Sequence, residues 1–146
     1  MIDATSQAVL QDVFRRVGRS LLQYVGEAYP WVSAREQPVL DRLRALIDED
    51  NESLAELARF LQRKHVPVPY LGAFPEAYTA VNYIALAHLL PMLVEDRRSA
   101  VVAMERDVRE AADPDVRAHL QKVLALNREH LKALEALAVA DKAPAA

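Results

Sequence analysis

Apolar side chains recur along this chain with the spacing of α-helices, in four stretches separated by proline-rich or acidic turns. The clearest series are Val9, Val13, Val17, Leu21 and Tyr24, then Leu40, Leu43, Ile47, Leu54, Leu57 and Leu61, and near the end Val116, Leu120, Val123, Leu124, Leu131, Leu134 and Leu137. Residues three or four apart share one face of a helix, so each series predicts an amphipathic helix. The second series is interrupted at Asp50.

The residues that begin and end helices give the boundaries of this pattern. We predict four helices at about 3–28, 34–64, 76–111 and 115–138, with a frayed tail at 139–146. Ser33 followed by Glu36 has the spacing of a capping box, and Asp113 followed by Pro114 is a typical helix start. Pro91 lies inside the third helix, where a proline is expected to bend or locally break it.

The lengths of the connections predict how the helices are arranged. The first and third links are short, whereas the middle link, HVPVPYLGAFPE around residues 65–75, is rich in proline and could span about 30 to 40 Å. We therefore expect an all-α, four-helix bundle of two helical hairpins joined by a Pro-rich crossover, occupying residues 1–146 as a single domain. A simple up-down-up-down bundle is the alternative.

Composition and charge narrow the class of protein. Only 3 glycines and 6% aromatic residues accompany 52% apolar residues, which is typical of helical proteins. The net charge of −3 is spread along the chain without a basic face, so we predict no nucleic-acid partner. No cysteine is present, which excludes thiolate metal sites and cysteine nucleophiles. The apolar run AVNYIALAHLLPMLV is shorter than the roughly 20 residues of a membrane span, and we predict a cytoplasmic protein without a membrane partner.

Two hairpins with a long crossover, together with the phrases SLLQYVGEAYPW and LARFLQRKH, resemble small bacterial members of the ferritin-like superfamily. The resemblance implies a di-iron site built from a Glu on each of two helices and a Glu-x-x-His pair on each of the other two. That spacing is absent, because Glu129 and His130 are adjacent and would point about 100° apart. We therefore expect a ferritin-like bundle that lacks the standard di-iron motif.

A set of polar residues nonetheless falls on or beside the apolar stripes at comparable depth. Asp50, Glu95 and His130 are candidate ligands of a divergent mononuclear metal site, since two carboxylates and an imidazole suit iron (Fe), manganese (Mn) or zinc (Zn). His88 and Asn127 lie one or two turns away. These residues make metal-dependent oxidoreductase chemistry an alternative function.

The competing interpretation of the same residues is a buried hydrogen-bonded network. In that case Arg16 or Arg98 would neutralise the acids, because buried charges must be paired. The remaining histidines have simpler interpretations: His65 lies at the end of the second helix, where a cation suits the helix dipole, and His119 is expected to be a solvated side chain.

The third predicted helix is apolar nearly all round from Ala77 to Val94. This excess needs cover from the crossover or from a second chain, and we predict a homodimer or another homo-oligomer that uses the third or the first helix. A bend at Pro91 would also open a pocket lined by Tyr24, His88 and Met92, which makes a small-ligand binder the other alternative.

These patterns leave three functions, of which we favour the first. It is an interaction or structural module that needs no cofactor, favoured by the missing di-iron ligands and the apolar excess. The lack of a phosphate-binding loop and of a glycine-bounded nucleophile turn favours a protein that is not an enzyme without deciding this point. The alternatives are the Fe, Mn or Zn protein and the small-ligand binder.

Overall fold

The computed structural model describes residues 2–28 and 30–142, and within them the chain is all-α, as predicted. The α-helices are α1 (Ala4–Gly18), α2 (Leu21–Ala28), α3 (Gln37–Arg63), α4 (Leu86–Glu110) and α5 (Pro114–Lys142). A short 3-10 helix at Ala34–Glu36 directly precedes α3, and another at Glu76–Val81 precedes α4 in the chain. No helix in this part of the chain is long and apolar enough to cross a membrane.

Contacts between helices show which of them run in opposite directions. They join Arg98 to Glu135 and Arg128 to Glu105 between α4 and α5, Glu56 to Lys122 and Lys64 to Asp115 between α3 and α5, and Arg16 to Asp107 and Leu21 to Asp96 between α1–α2 and α4. In every pair of helices the residue numbers rise along one partner as they fall along the other. Each of these pairs is therefore antiparallel.

The first predicted helix is interrupted, and the prediction of a single helix over 3–28 is wrong at this point. α1 ends at Gly18, Arg19 leaves the helical conformation, and the Ser20 hydroxyl accepts the Gln23 N–H at 3.3 Å to start α2. A Cβ atom on Gly18 would lie 2.7 Å from Leu71 Cδ1. Glycine is thus found where the crossover packs directly on the end of α1.

The third predicted helix is interrupted as well, but before Pro91 and not at it. After the 3-10 helix Glu76–Val81 the chain turns through Tyr83, whose φ of 58° lies in the left-handed region. The Trp31 backbone N–H donates to the Ile84 carbonyl and its carbonyl accepts the Leu86 N–H, so the two bonds lie on either side of Ala85, and α4 starts only at Leu86. α4 then continues through Pro91, so the local break expected at this proline is absent.

The predicted caps of α3 and α5 agree with the structure. Glu36 Oε1 accepts the backbone N–H of Ser33 at 3.1 Å, as the capping box requires. The first turn is a 3-10 helix, so α3 begins at Gln37, three residues after the predicted start at 34. Asp113 Oδ1 accepts two backbone N–H groups of the first turn of α5, at 2.9 and 3.1 Å. α5 extends beyond the predicted end at 138 to Lys142. The rest of the predicted tail, 143–146, lies outside the described residues.

The crossover between α3 and the 3-10 helix lies along α1. The Gln11 side chain donates to the Pro67 carbonyl at 3.0 Å, and the Arg19 guanidinium donates to the Gly72 carbonyl at 2.6 and 2.9 Å. The crossover therefore covers α1 and not the exposed apolar residues of α4.

The hydrophobic core consists of two clusters with polar residues between them. One cluster joins α1 to the C-terminal halves of α3 and α4 and to the N-terminal half of α5, and the other joins α2 to the opposite halves of these helices. Between the two clusters lie the buried polar residues Asp50 on α3, Arg97 on α4, and Asn127 and His130 on α5. The break between α1 and α2, at Arg19 and Ser20, also falls between the clusters. A polar layer thus crosses the middle of the core.

Candidate functional site

Helical spacing places the polar layer inside the core. On α4 the buried series runs Leu93, Arg97, Val101 at intervals of four, so the arginine occupies a position that otherwise takes an aliphatic side chain. Asp50 continues the buried stripe of α3, and Asn127 continues that of α5. Three helices therefore direct polar side chains at the same point.

The centre of this layer is a buried ion pair. Arg97 Nη2 lies 2.8 Å from Asp50 Oδ2, and Arg97 Nη1 lies 3.3 Å from Asp50 Oδ1. Arg97 Nη1 also donates to the Asn127 side-chain oxygen, whose amide in turn donates to the Val123 carbonyl at 2.8 Å. The side chains of Arg97 and Asp50 are only 3% and 1% exposed, so each charge depends on the other for its stabilisation.

His130 connects this ion pair to the surface. Its Nδ1 lies 3.0 Å from Asp50 Oδ1, without the alignment of a hydrogen bond, and its Nε2 lies 2.7 Å from Glu49 Oε2. The imidazole is 2% exposed, whereas the Glu49 side chain is 45% exposed. A neutral imidazole has a single N–H, so it can donate to only one of these carboxylates.

The surroundings of Asp50 favour its ionised form. Burial by itself would raise the pKa of this carboxyl, but the adjacent His130 and the charge and hydrogen bonds of Arg97 outweigh it and hold the pKa below its ordinary value. Asp50 is therefore a carboxylate at neutral pH.

Of the three predicted metal ligands, the structure brings two together and leaves the third outside. Asp50 and His130 are adjacent in the core, but the Glu95 side chain is 69% exposed and pairs with Arg98 at 2.7 Å. Glu95 precedes Arg97 by two positions, which rotates it by about 200° around the helix from the core-facing side. Placing Glu95 in the inward layer was therefore wrong, because its depth matched but its face did not.

The arginine that neutralises the layer was missed by the sequence analysis, which named Arg16 or Arg98. Arg16 binds Asp107 at 2.5 Å, and Arg98 forms surface pairs with Glu95 and Glu135. The signal for Arg97 was present in the four-residue spacing from Leu93 to Val101. His88, predicted near the layer, is exposed, whereas Asn127 is part of it.

The donor set does not fit a ferritin-type di-iron centre. Glu49 and Asp50 lie at opposite nitrogens of the His130 ring, so an ion bound to one nitrogen cannot reach both carboxylates. Both oxygens of Asp50 already accept from Arg97. Within residues 2–28 and 30–142, no group of three or more His, Asp or Glu side chains could hold a metal ion.

His119 is not the solvated side chain that the sequence suggested. Its ring stacks on Phe60, with centroids 4.5 Å apart and planes 12° from parallel. Burial lowers the pKa of His119 below its ordinary value of 6.5, with a smaller contribution from Lys122. The folded state therefore favours the neutral imidazole.

The predicted pocket at Pro91 has a different lining. A groove of about 400 Å³ lies beside Pro91 between α4 and α5, and its apolar lining includes Val139. Tyr24 instead packs with the aromatic residues of the crossover, while His88 and Met92 are exposed on α4 outside the groove. The three residues named from the sequence do not form a site together.

Comparisons with protein-family models, with curated proteins and with solved structures find no match to this chain.

Arg97→Met should destabilise the protein by about 3 to 5 kcal/mol, because it leaves the Asp50 carboxylate buried without a partner. Asp50→Leu should cost a similar amount, and the double variant should recover most of the loss because no buried charge remains. Urea unfolding followed by circular dichroism measures all three.

Arg98→Met is the matched control, since it breaks only exposed ion pairs and should cost less than about 1 kcal/mol. If Arg97→Met costs no more than this control, the ion pair does not organise the core.

The depressed pKa of His119 predicts a pH dependence of stability. The unfolded state binds more protons than the folded state as the pH falls from about 6.5 towards the folded pKa, so the contribution of His119 is lost on acidification. His119→Phe keeps a ring on Phe60 but cannot titrate. Wild type should therefore lose stability relative to this variant between about pH 7.5 and pH 5.5, as measured by urea unfolding at both values.

His88→Gln is the control for this experiment and should retain the wild-type pH dependence. An unchanged difference between wild type and His119→Phe across the pH range would refute the assignment to His119.

Proposed function

We propose that this chain is a ferritin-like four-helix bundle without a di-iron site, which acts as an interaction module, assembles as a homodimer and is not an enzyme. The observation that carries the proposal is the guanidinium of Arg97 at the centre of the core, bound by Asp50 and Asn127. The polar layer of the bundle is occupied by a protein cation and its partners.

The directions of the helices support the ferritin-like arrangement. α3 and α4 are each antiparallel to α5, so they run parallel to one another, and the connection between them must return along the bundle. This connectivity is the one expected of two hairpins joined by a crossover, and it supports the proposed arrangement. An up-down-up-down bundle would place α3 and α4 antiparallel.

The chemistry of Arg97 argues against a catalytic centre in this layer. A guanidinium supplies positive charge to the buried carboxylate, as a metal ion would, but it has no open coordination position and no second oxidation state. The layer therefore stabilises the bundle and leaves recognition to the surface.

The surface that we assign to recognition is the outer side of the hairpin of α4 and α5, here called the α4–α5 face. Val102 and Val139 are 60% and 71% exposed on it. Around them lie charges of both signs, including Glu95, Arg98 and Glu135. A two-fold axis brings a surface against its own copy, and a face with apolar residues and both charges is complementary to itself.

The test is the oligomeric state in solution. Analytical ultracentrifugation of wild type should give twice the protomer mass of 16.3 kDa. A double variant, Val102→Glu with Val139→Glu, should sediment as a folded monomer, because it places four carboxylates in the symmetric contact.

Val68→Glu is the control, since this exposed valine lies on the crossover, away from α4 and α5, and the variant should remain dimeric. A wild-type protein that is monomeric at every concentration contradicts the proposal. So does a double variant that stays dimeric.

A further inference from the structure

A cavity of about 390 Å³ lies where the break between α1 and α2 meets α4, and its lining includes none of the residues named for the α4–α5 face. One wall is formed by Arg15, Arg16 and Arg19, and the other contains Asp96 and Ser99. Its volume lies in the range of about 300 to 1,000 Å³ that small-molecule sites occupy. The buried side chains of Asp50, Arg97, Asn127 and His130 are not part of its lining.

Arg19 is held in place by neutral groups, and its charge is not neutralised. Its Nε and Nη2 donate to the Gly72 carbonyl, its Nη1 donates to the Gly18 carbonyl at 2.8 Å, and its guanidinium lies 4.4 Å from the Phe74 ring centroid. These partners are neutral, and in the described part of the chain no carboxylate pairs with Arg19. Since a guanidinium has five N–H groups, these partners leave two of them unused.

The other two arginines also keep donors available. Arg16 uses Nη1 for Asp107 and is 28% exposed at the cavity wall. Arg15 pairs with Asp12 at 3.2 Å, but both side chains are more than half exposed, so this pair is weak and readily exchanged for a stronger acceptor. The wall therefore offers several charge-assisted donors at one place.

The opposite wall has a different chemistry. Asp96 Oδ2 accepts the backbone N–H of Leu21 at 3.1 Å, which fixes this carboxylate at the start of α2. Burial, together with the charge of Asp96, raises the pKa of Tyr78, so that its hydroxyl stays a donor. The cavity thus combines donors on one side with a fixed acceptor on the other.

We propose that this cavity binds a small phosphate monoester. The phosphate group is bound by Arg15, Arg16 and Arg19, whose planar donor groups match phosphate oxygens. An amino or hydroxyl group elsewhere on the ligand donates to Asp96. The fixed carboxylate repels ligands that carry negative charge at both ends, so it selects for a donor at that position.

Phosphoethanolamine is the probe, because it carries a phosphate at one end and an ammonium group at the other. Titration of the ¹⁵N-labelled protein at constant ionic strength should give saturable NMR shifts at the amides of Ser20, Leu21 and Ser99. Arg15→Gln should weaken binding by at least about tenfold, the usual effect of removing a charge-assisted contact. Inorganic phosphate should bind more weakly than the probe.

Arg128→Gln is the matched control: it removes one exposed arginine of α5, which pairs with Glu105 on α4, lowers the net charge equally and should leave the affinity unchanged. Equal weakening by both variants would show general electrostatic attraction and overturn the site. The absence of saturable shifts, or acetate binding as tightly as inorganic phosphate, would overturn it as well. The site shares no residue with the dimer contact, so either proposal can fail alone.

Discussion

The buried pair of Asp50 and Arg97 is the constraint on which the rest of this structure depends. A carboxylate and a guanidinium in a hydrophobic core cost several kcal/mol each unless they meet with good geometry. Here one comes from α3 and the other from α4, and Asn127 on α5 accepts a further guanidinium N–H. A shift of any of these helices by one turn would leave a charge without its partner, so the pair sets their relative depth.

Two further features of the molecule lie at the same level as this ion pair. The core divides into two hydrophobic clusters there, and the first helical stretch breaks at Arg19 and Ser20. Two adjacent residues on α4 make different contacts. Arg97 points into the core and binds Asp50, whereas Asp96 accepts the backbone N–H of Leu21 on α2. Because neighbours on a helix diverge by about 100°, one turn of α4 supports both the polar layer and the arginine-lined cavity.

The sequence predicted those features that depend on local pattern and failed where distant contacts decide. Caps at Ser33 and Asp113 follow from side chains a few residues away, and the apolar stripes indicated that Asp50 and His130 face inward. The breaks before Leu21 and Leu86 depend on tertiary contacts, namely the packing of Leu71 on Gly18 and the bridge to Trp31, which periodicity does not reveal. Glu95 was chosen by its depth along the helix, and the inward face of Arg97 was overlooked.

The central claim is that a guanidinium, and not a metal ion, provides the positive charge in the polar layer. Elemental analysis of protein purified without chelator, before and after anaerobic addition of Fe(II), tests it most directly. Substoichiometric iron, manganese and zinc in both samples is the result that this account predicts. Near-stoichiometric metal that is lost in His130→Ala, with the variant still folded by circular dichroism, would contradict it.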